Sequence, residues 1–379
     1  MIKALLKLVF SLSILLNTAL AQTNTKPKYN GETVYAGIEV GSKGVKLSVL
    51  GLGKNAKKTG NFSILKDTTV NTDFINFSKP TFTATLNGLY GLYKTAANDF
   101  NILPQNIFTV FSSGVKIMAD KENKKEWLNL LADSFRLKVN EPKREVNAID
   151  VLDEAKLSHI GIVPESKRYT TFLIDIGSGN TKGGYFSNGN TNTLKLFQLT
   201  WGTKSVTNEA EKRCDEDKSM ANYYTQLNRV MAGPANGEIA YAVNESGAYN
   251  MSDYVAFSGG IAWSVATLLY PELNDNSVVP VTYDDVFRFN ELIYRSPELF
   301  STDMQSKLIS DNNPDKAAIV NDVKRVNKVF DQKSLMAGSS LMLKIMRQFA
   351  GVYEKKQFYL VKNGQVGWIS AYVDLQTKK

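Results

Sequence analysis

Apolar and polar positions fall into the same arrangement at two places in the chain. Thr171 to Phe186, TFLIDIGSGNTKGGYF, reads as a buried strand to Ile176, a tight turn Gly177-Ser178-Gly179-Asn180, and a second strand ending near Phe186. Tyr35 to Leu50, YAGIEVGSKGVKLSVL, has the same design. Glu39 stands where Asp175 stands, Gly41-Ser42 where Gly177-Ser178 stand, and Lys46 where Lys182 stands. Repetition at domain-scale spacing predicts two similar lobes, each offering its hairpin to one cleft.

Between and after the hairpins the period changes. Residues 53–80 are polar with scattered alternation at Val70, Thr72, Phe74 and Phe77, which predicts one further strand. Leu86, Leu89, Tyr90, Tyr93, Ala97 and Phe100 recur at helical spacing, and 123–136 does the same. Ile107 to Phe111 is a short buried strand ending in Ser112-Ser113-Gly114. Ile149 to Gly161 predicts a helix with Leu152, Leu157 and Ile160 toward the core, leaving Asp153, Glu154 and Lys156 for solvent or a cleft. Leu194 to Leu199 is a strand and a helix starts at Gly202, whereas 211–252 reads as a polar, loop-rich insertion. Val255 to Phe257 runs through Ser258-Gly259-Gly260 into a helix ending at Leu269. Helices at 281–294 and 331–350, a strand at Phe358 to Val361, the turn Asn363-Gly364 and a short last helix complete the chain. The order predicts an α/β protein of mixed sheets with covering helices, divided into lobes 33–165 and 166–379.

Length agrees, since 379 residues suffice for two domains with sizeable cores. Residues 1–21 carry Lys3 and Lys7, an apolar run from Leu8 to Leu16 and the small-residue ending Ala19-Leu20-Ala21. That is the pattern of a signal peptide cut after Ala21, with 22–32 as a polar tether and a periplasmic or secreted destination. The apolar run is too short to span a bilayer easily, and no later stretch is expected to cross one. Cys214 is alone, which excludes an intramolecular disulfide. His159 is the single histidine, which excludes histidine-rich metal sites and disfavours a serine-protease triad. The net charge of +8 is spread along the chain. It favours a polyanionic ligand, but no basic stripe with interleaved aromatics points to nucleic acid.

The hairpins carry the candidate chemistry. Glycines in a turn let a ligand approach the backbone, and exposed turn amides suit phosphate oxygens. A carboxylate at the strand end suits a cation bound to that phosphate. Gly41, Ser42, Lys43, Gly177, Ser178, Gly179 and Asn180 are therefore candidate phosphate ligands, with Glu39 and Asp175 as candidate metal ligands. Gly259 and Gly260 add a strand-to-helix junction whose free amides suit phosphate, although a close-packed turn requires the same residues.

Together these strings resemble the actin, sugar kinase and heat-shock ATPase superfamily, whose lobes are ribonuclease-H-like. Within it the order is most similar to the exopolyphosphatase and guanosine pentaphosphate phosphatase (Ppx/GppA) family. FTVFSSGVK at 108–116, VLDEAKLSHIG at 151–161, LTWGTKSVT at 199–207, SLMAGSSLMLKIM and LVKNGQVGWI carry the resemblance beside the hairpins. It implies that Glu154 activates water for attack on a terminal phosphate, with magnesium as the cofactor, and that the last helix packs back on the first lobe. It also implies a substrate among inorganic polyphosphate and phosphorylated nucleotides, and allows a homodimer. Two positions depart from the family pattern: Glu39 replaces an aspartate, and Lys182 replaces a glutamate of the second hairpin. Lys182 is thereby a candidate phosphate ligand, as a point charge. The expectation is an exported phosphohydrolase. The alternative is a protein of the same fold that binds polyphosphate or a nucleotide without hydrolysing it, with a kinase third.

Overall fold

A computed structural model of the chain describes residues 33–52, 63–187, 189–247, 252–350, 356–362 and 364–377. The expected signal peptide, its cleavage site, the tether 22–32 and Asn363 lie outside them.

The first sheet holds β1 (Thr33–Val40), β2 (Gly44–Leu52) and β3 (Ser63–Asn71). Helix α1 (Lys79–Lys94) follows, begun by Ser78, whose side chain accepts from the Thr81 amide while the Thr81 hydroxyl receives the Ser78 amide. Then come β4 (Ile107–Phe111), α2 (Ser113–Lys121), α3 (Lys125–Val139), β5 (Val146–Ala148) and α4 (Val151–Ile162). The strand order is β3-β2-β1-β4-β5, with β1, β4 and β5 parallel and β2 and β3 antiparallel to their neighbours.

The second sheet repeats the plan. It is built from β6 (Thr171–Ile176), β7 (Thr181–Phe186), β8 (Leu194–Leu199), β9 (Tyr254–Ser258), β10 (Val278–Val281) and β11 (Gln357–Val361). The order is β10-β11-β9-β6-β7-β8, so that β8-β7-β6-β9-β11 reproduces the first sheet strand for strand, parallel and antiparallel pairs included. β10 is an added antiparallel edge. Every residue of β6 and β7 is buried, as befits a central hairpin covered on both faces.

From 211 to 247, its described part, the stretch 211–252 is not the loop-rich insertion its polarity suggests. It forms α6 (Met220–Ala232) and α7 (Pro234–Glu245) after α5 (Thr203–Lys212). Tyr223, Leu227, Val230, Ile239 and Val243 are buried, a narrow apolar stripe among many polar outward positions. The remaining helices are α8 (Gly260–Leu269), α9 (Tyr283–Arg295), α10 (Thr302–Leu308), α11 (Lys316–Val329), α12 (Gln332–Ala350) and α13 (Gly367–Gln376). The stripe of α12, including Leu341, Met342, Ile345 and Phe349, is core.

Two helices cross between the sheets. α4, following β5, packs on β7; α13, following β11, packs on β1. They meet so closely that a Cβ on Gly161 would stand 2.0 Å from the Gly367 carbonyl oxygen. A Cβ on Gly37 of β1 would meet Ile369 of α13 at 2.6 Å. Leu152, expected toward the core, is exposed, while Glu154, whose type suggested solvent or a cleft wall, is only 1% exposed. Among the described residues no helix is long and apolar enough to cross a membrane.

Candidate active site

Both hairpins place an acid opposite a lysine. Glu39 pairs with Lys46 across β1 and β2, and Asp175 with Lys182 across β6 and β7. Each turn is closed by its own backbone: the Gly41 amide donates to Gly44 O over 2.8 Å, and the Gly177 amide to Asn180 O over 2.9 Å.

The turns face one another and the start of α2. A Cβ on Gly179 would lie 3.6 Å from Ser42 Oγ. One on Gly114 would lie 3.2 Å from Ser42 Oγ and 3.4 Å from Asn180 Oδ1. The structure thus gathers Gly41, Ser42, Gly177, Ser178, Gly179 and Asn180 with the α2 N-terminus around one small space. The back of the second turn is held by α5, whose Thr203 and Lys204 amides donate to Gly177 O and Ser178 O over 3.0 and 2.7 Å. Gly202 is required here, since its Cβ would stand 2.6 Å from the Asn180 nitrogen. This support was marked in the sequence only by the string LTWGTKSVT.

Four charged side chains converge beneath the turns. Glu154 Oε2 accepts the Ser113 amide over 2.7 Å, and Glu154 Oε1 lies 3.0 Å from Lys182 Nζ. Lys182 Nζ is also 3.4 Å from Asp175 Oδ2, while Ser258 Oγ donates to Asp175 Oδ1 over 3.1 Å. Ser113 and Ser258 were not singled out by type, because neither acts until the fold brings a carboxylate to it. Burial opposes the Lys182 charge, but Glu154, Asp175 and Glu39 outweigh it and hold the ammonium above its usual range. Burial, then the charge of Glu154, pushes Glu39 up to about 7.

The residues expected to hold magnesium do not suit it. The ion needs oxygens at about 2.1 Å in near-octahedral array. Lys182 Nζ lies between the carboxylates of Glu154 and Asp175, so a cation reaching both would meet the ammonium. Among the described residues no group of three or more His, Cys, Asp or Glu is arranged for a metal ion.

Lys43 and Lys204 span the other side of the space. Lys43 Nζ lies over the Phe330 ring, 5.7 Å from its centroid, and donates to Val329 O at 3.4 Å. Lys204 pairs with Asp73 of the first lobe at 2.8 Å. Burial, then the neighbouring Lys204 charge, lowers the Lys43 ammonium. Gly259 and Gly260 lie beside this region, and packing alone accounts for both. Gly259 has φ 91°, and its Cβ would meet Ile176 O at 2.3 Å and Asp175 Oδ1 at 2.9 Å; that of Gly260 would meet Phe330 at 3.0 Å. Two surface pockets, of about 360 and 650 Å³, lie at Phe300–Leu335 and at Phe108–Tyr372, and neither includes the carboxylates. The site is identified by its chemistry, not by its volume.

The duplicated β3-β2-β1-β4-β5 plan with crossing helices defines the ribonuclease-H-like, actin-like ATPase fold, with the facing hairpins at its cleft. No family model and no curated protein matches the sequence. Solved structures do match. The Aquifex aeolicus member of the Ppx/GppA protein family aligns with a TM-score of 0.60 at 16% identity, over 92% of this chain and 99% of that one. An exopolyphosphatase-like protein aligns at 0.58 and 12% identity over 88% and 98%. An exopolyphosphatase from Cytophaga hutchinsonii aligns at 0.53 and 11% identity over 90% and 98%. At these identities the likeness is one of fold, and on that level the resemblance read from the motifs holds along nearly the whole chain.

Proposed function

We propose that the chain is a phosphohydrolase that releases terminal phosphate from inorganic polyphosphate or from a phosphorylated nucleotide. The observation that carries this reading is Glu154: a buried carboxylate, held by the Ser113 amide and Lys182, beneath two facing glycine turns. Among the described residues the amides of Ser42, Lys43, Ser178 and Gly179 have no partner, which leaves them for phosphate oxygens. A carboxylate offers about four lone-pair positions, so Glu154 with two donors can still accept a proton. Water attacks the terminal phosphorus, its proton passes to Glu154, and the bond to the bridging oxygen breaks. The departing chain is one phosphate shorter, and the turn amides offset the charge on its new end. The exopolyphosphatases of like fold support the substrate class.

The test is orthophosphate release from long-chain polyphosphate and from nucleoside polyphosphates, with and without divalent metal. No release from any of them by well-folded protein sinks the hydrolase. A second reading, a non-catalytic binder, is favoured by the ammonium of Lys182 beside Glu154; ligand-dependent thermal stabilisation without turnover would establish it. We further propose that 1–21 direct export to the periplasm or the exterior. Amino-terminal sequencing of the exported protein would then begin at Gln22, and an uncleaved chain retained in the cytoplasm refutes it.

A further inference from the structure

We propose that Lys182 is the resident cation of this site, its ammonium standing among Glu154, Asp175 and Glu39 where a divalent metal would otherwise be required, so that a phosphate ligand binds without metal. The geometry is that of a bridging cation. Nζ lies 3.0 Å from Glu154 Oε1 on the crossing helix and 3.4 Å from Asp175 Oδ2 on β6, joining two elements as a shared ion would. It lies beside the second turn, for a Cβ on Gly177 would be 3.9 Å from it. An ammonium has three N–H donors, and these two contacts leave a third for a phosphate oxygen at that turn. The side chain is 7% exposed and that of Glu154 1%, so bulk water screens neither charge appreciably. Among the described residues the cluster also faces Lys46, which pairs with Asp67 at 3.5 Å and whose charge favours ionised Glu39, the Ser113 amide and the Ser258 hydroxyl. A second cation would therefore meet Lys182 before it met two free carboxylates.

Metal binding is testable without any phosphate, and the phosphate arm alone rests on the function proposed above. Calorimetry and electron paramagnetic resonance with Mn²⁺ should detect no uptake by the wild-type protein that Asp175→Asn abolishes. Lys182→Gln should gain one Mn²⁺ equivalent and a Mn²⁺-dependent rise in melting temperature. Because Lys182→Gln leaves buried carboxylates unpaired, Lys182→Gln with Glu39→Gln relieves the repulsion and should gain the same ion between Glu154 and Asp175. Tripolyphosphate should bind the wild type with a Kd that chelator or free Mg²⁺ alters by less than about threefold, whereas its binding to Lys182→Gln should require the metal. Mn²⁺ uptake by the wild type that depends on Asp175, or none by a folded variant lacking Lys182, overturns the proposal. Metal behaviour as expected, with no tripolyphosphate binding under any condition, supports Lys182 as the resident cation and instead counts against inorganic polyphosphate as the ligand.

Discussion

The two hairpins share a register and part company at one lysine. Lys46 and Lys182 each stand opposite the strand-end acid, yet Lys46 pairs with Asp67, its charge also favouring ionised Glu39, while Lys182 pairs with Glu154 and Asp175. The neighbours explain the difference. In the first sheet β3 pairs Asp67 with Ser48, two residues along β2 from Lys46 on the same face, and Ser48 Oγ also donates to Asp67. In the second sheet the corresponding pair is Leu196 with Gly184, so β8 offers no carboxylate there. The crossing helices differ too. The fourth residue of α4 is Glu154; the fourth of α13 is Ser370, buried and bonded to its own helix at Val366 O. Duplication supplied two equal cradles, and single residues on adjoining elements made one of them a charged site.

Lys182→Ala should produce the largest effect. It leaves Glu154 and Asp175 buried without their partner, a loss of about 3–5 kcal/mol for a broken buried pair. Urea unfolding measures it, and a loss no greater than that of Lys46→Ala would erase the distinction between the hairpins. Glu154→Gln keeps the shape but removes the proton acceptor, so turnover should fall roughly a hundredfold, about 2.7 kcal/mol. Full activity in that variant would remove the mechanism whatever the fold.

Acidity separates the strand-end acids next. Glu39 is pushed up to about 7, so it holds its proton more tightly in the folded state than in the unfolded one, where its value is 4.5. Its contribution to stability is complete below pH 4.5 and is lost as pH rises through about 7. His159 acts in the opposite sense: burial lowers it to about 4, so its contribution is complete above 6.5 and lost as pH falls. Glu39→Gln should therefore raise relative stability between pH 4.5 and 7, by on the order of 1 kcal/mol, since the side chain is partly exposed. Denaturation midpoints across that range give the slope, and parallel curves for variant and wild type would contradict the assignment. Lys46→Ala should have the smallest effect, at most about 1 kcal/mol and reduced by salt, as for a partly solvated pair.

The duplicated hairpins, their acids and lysines and the strand-to-helix junction at Gly259 were legible in the residues alone, because alternation and glycine turns are local signals, whereas β5, β10, α2, α10 and α11 were not. The sequence also marked Glu154, through the motif around it. The helices between 211 and 252 were hidden by polarity, for a narrow buried stripe needs a neighbouring core before it counts as apolar. Nothing local told Lys46 from Lys182: both face an acid at the same register, and the residue that claims each ammonium lies on another strand or helix. That choice, the meeting of Ser113 with Glu154, and the burial that raises Glu39 depend on distances between elements far apart in the chain, which no local pattern encodes.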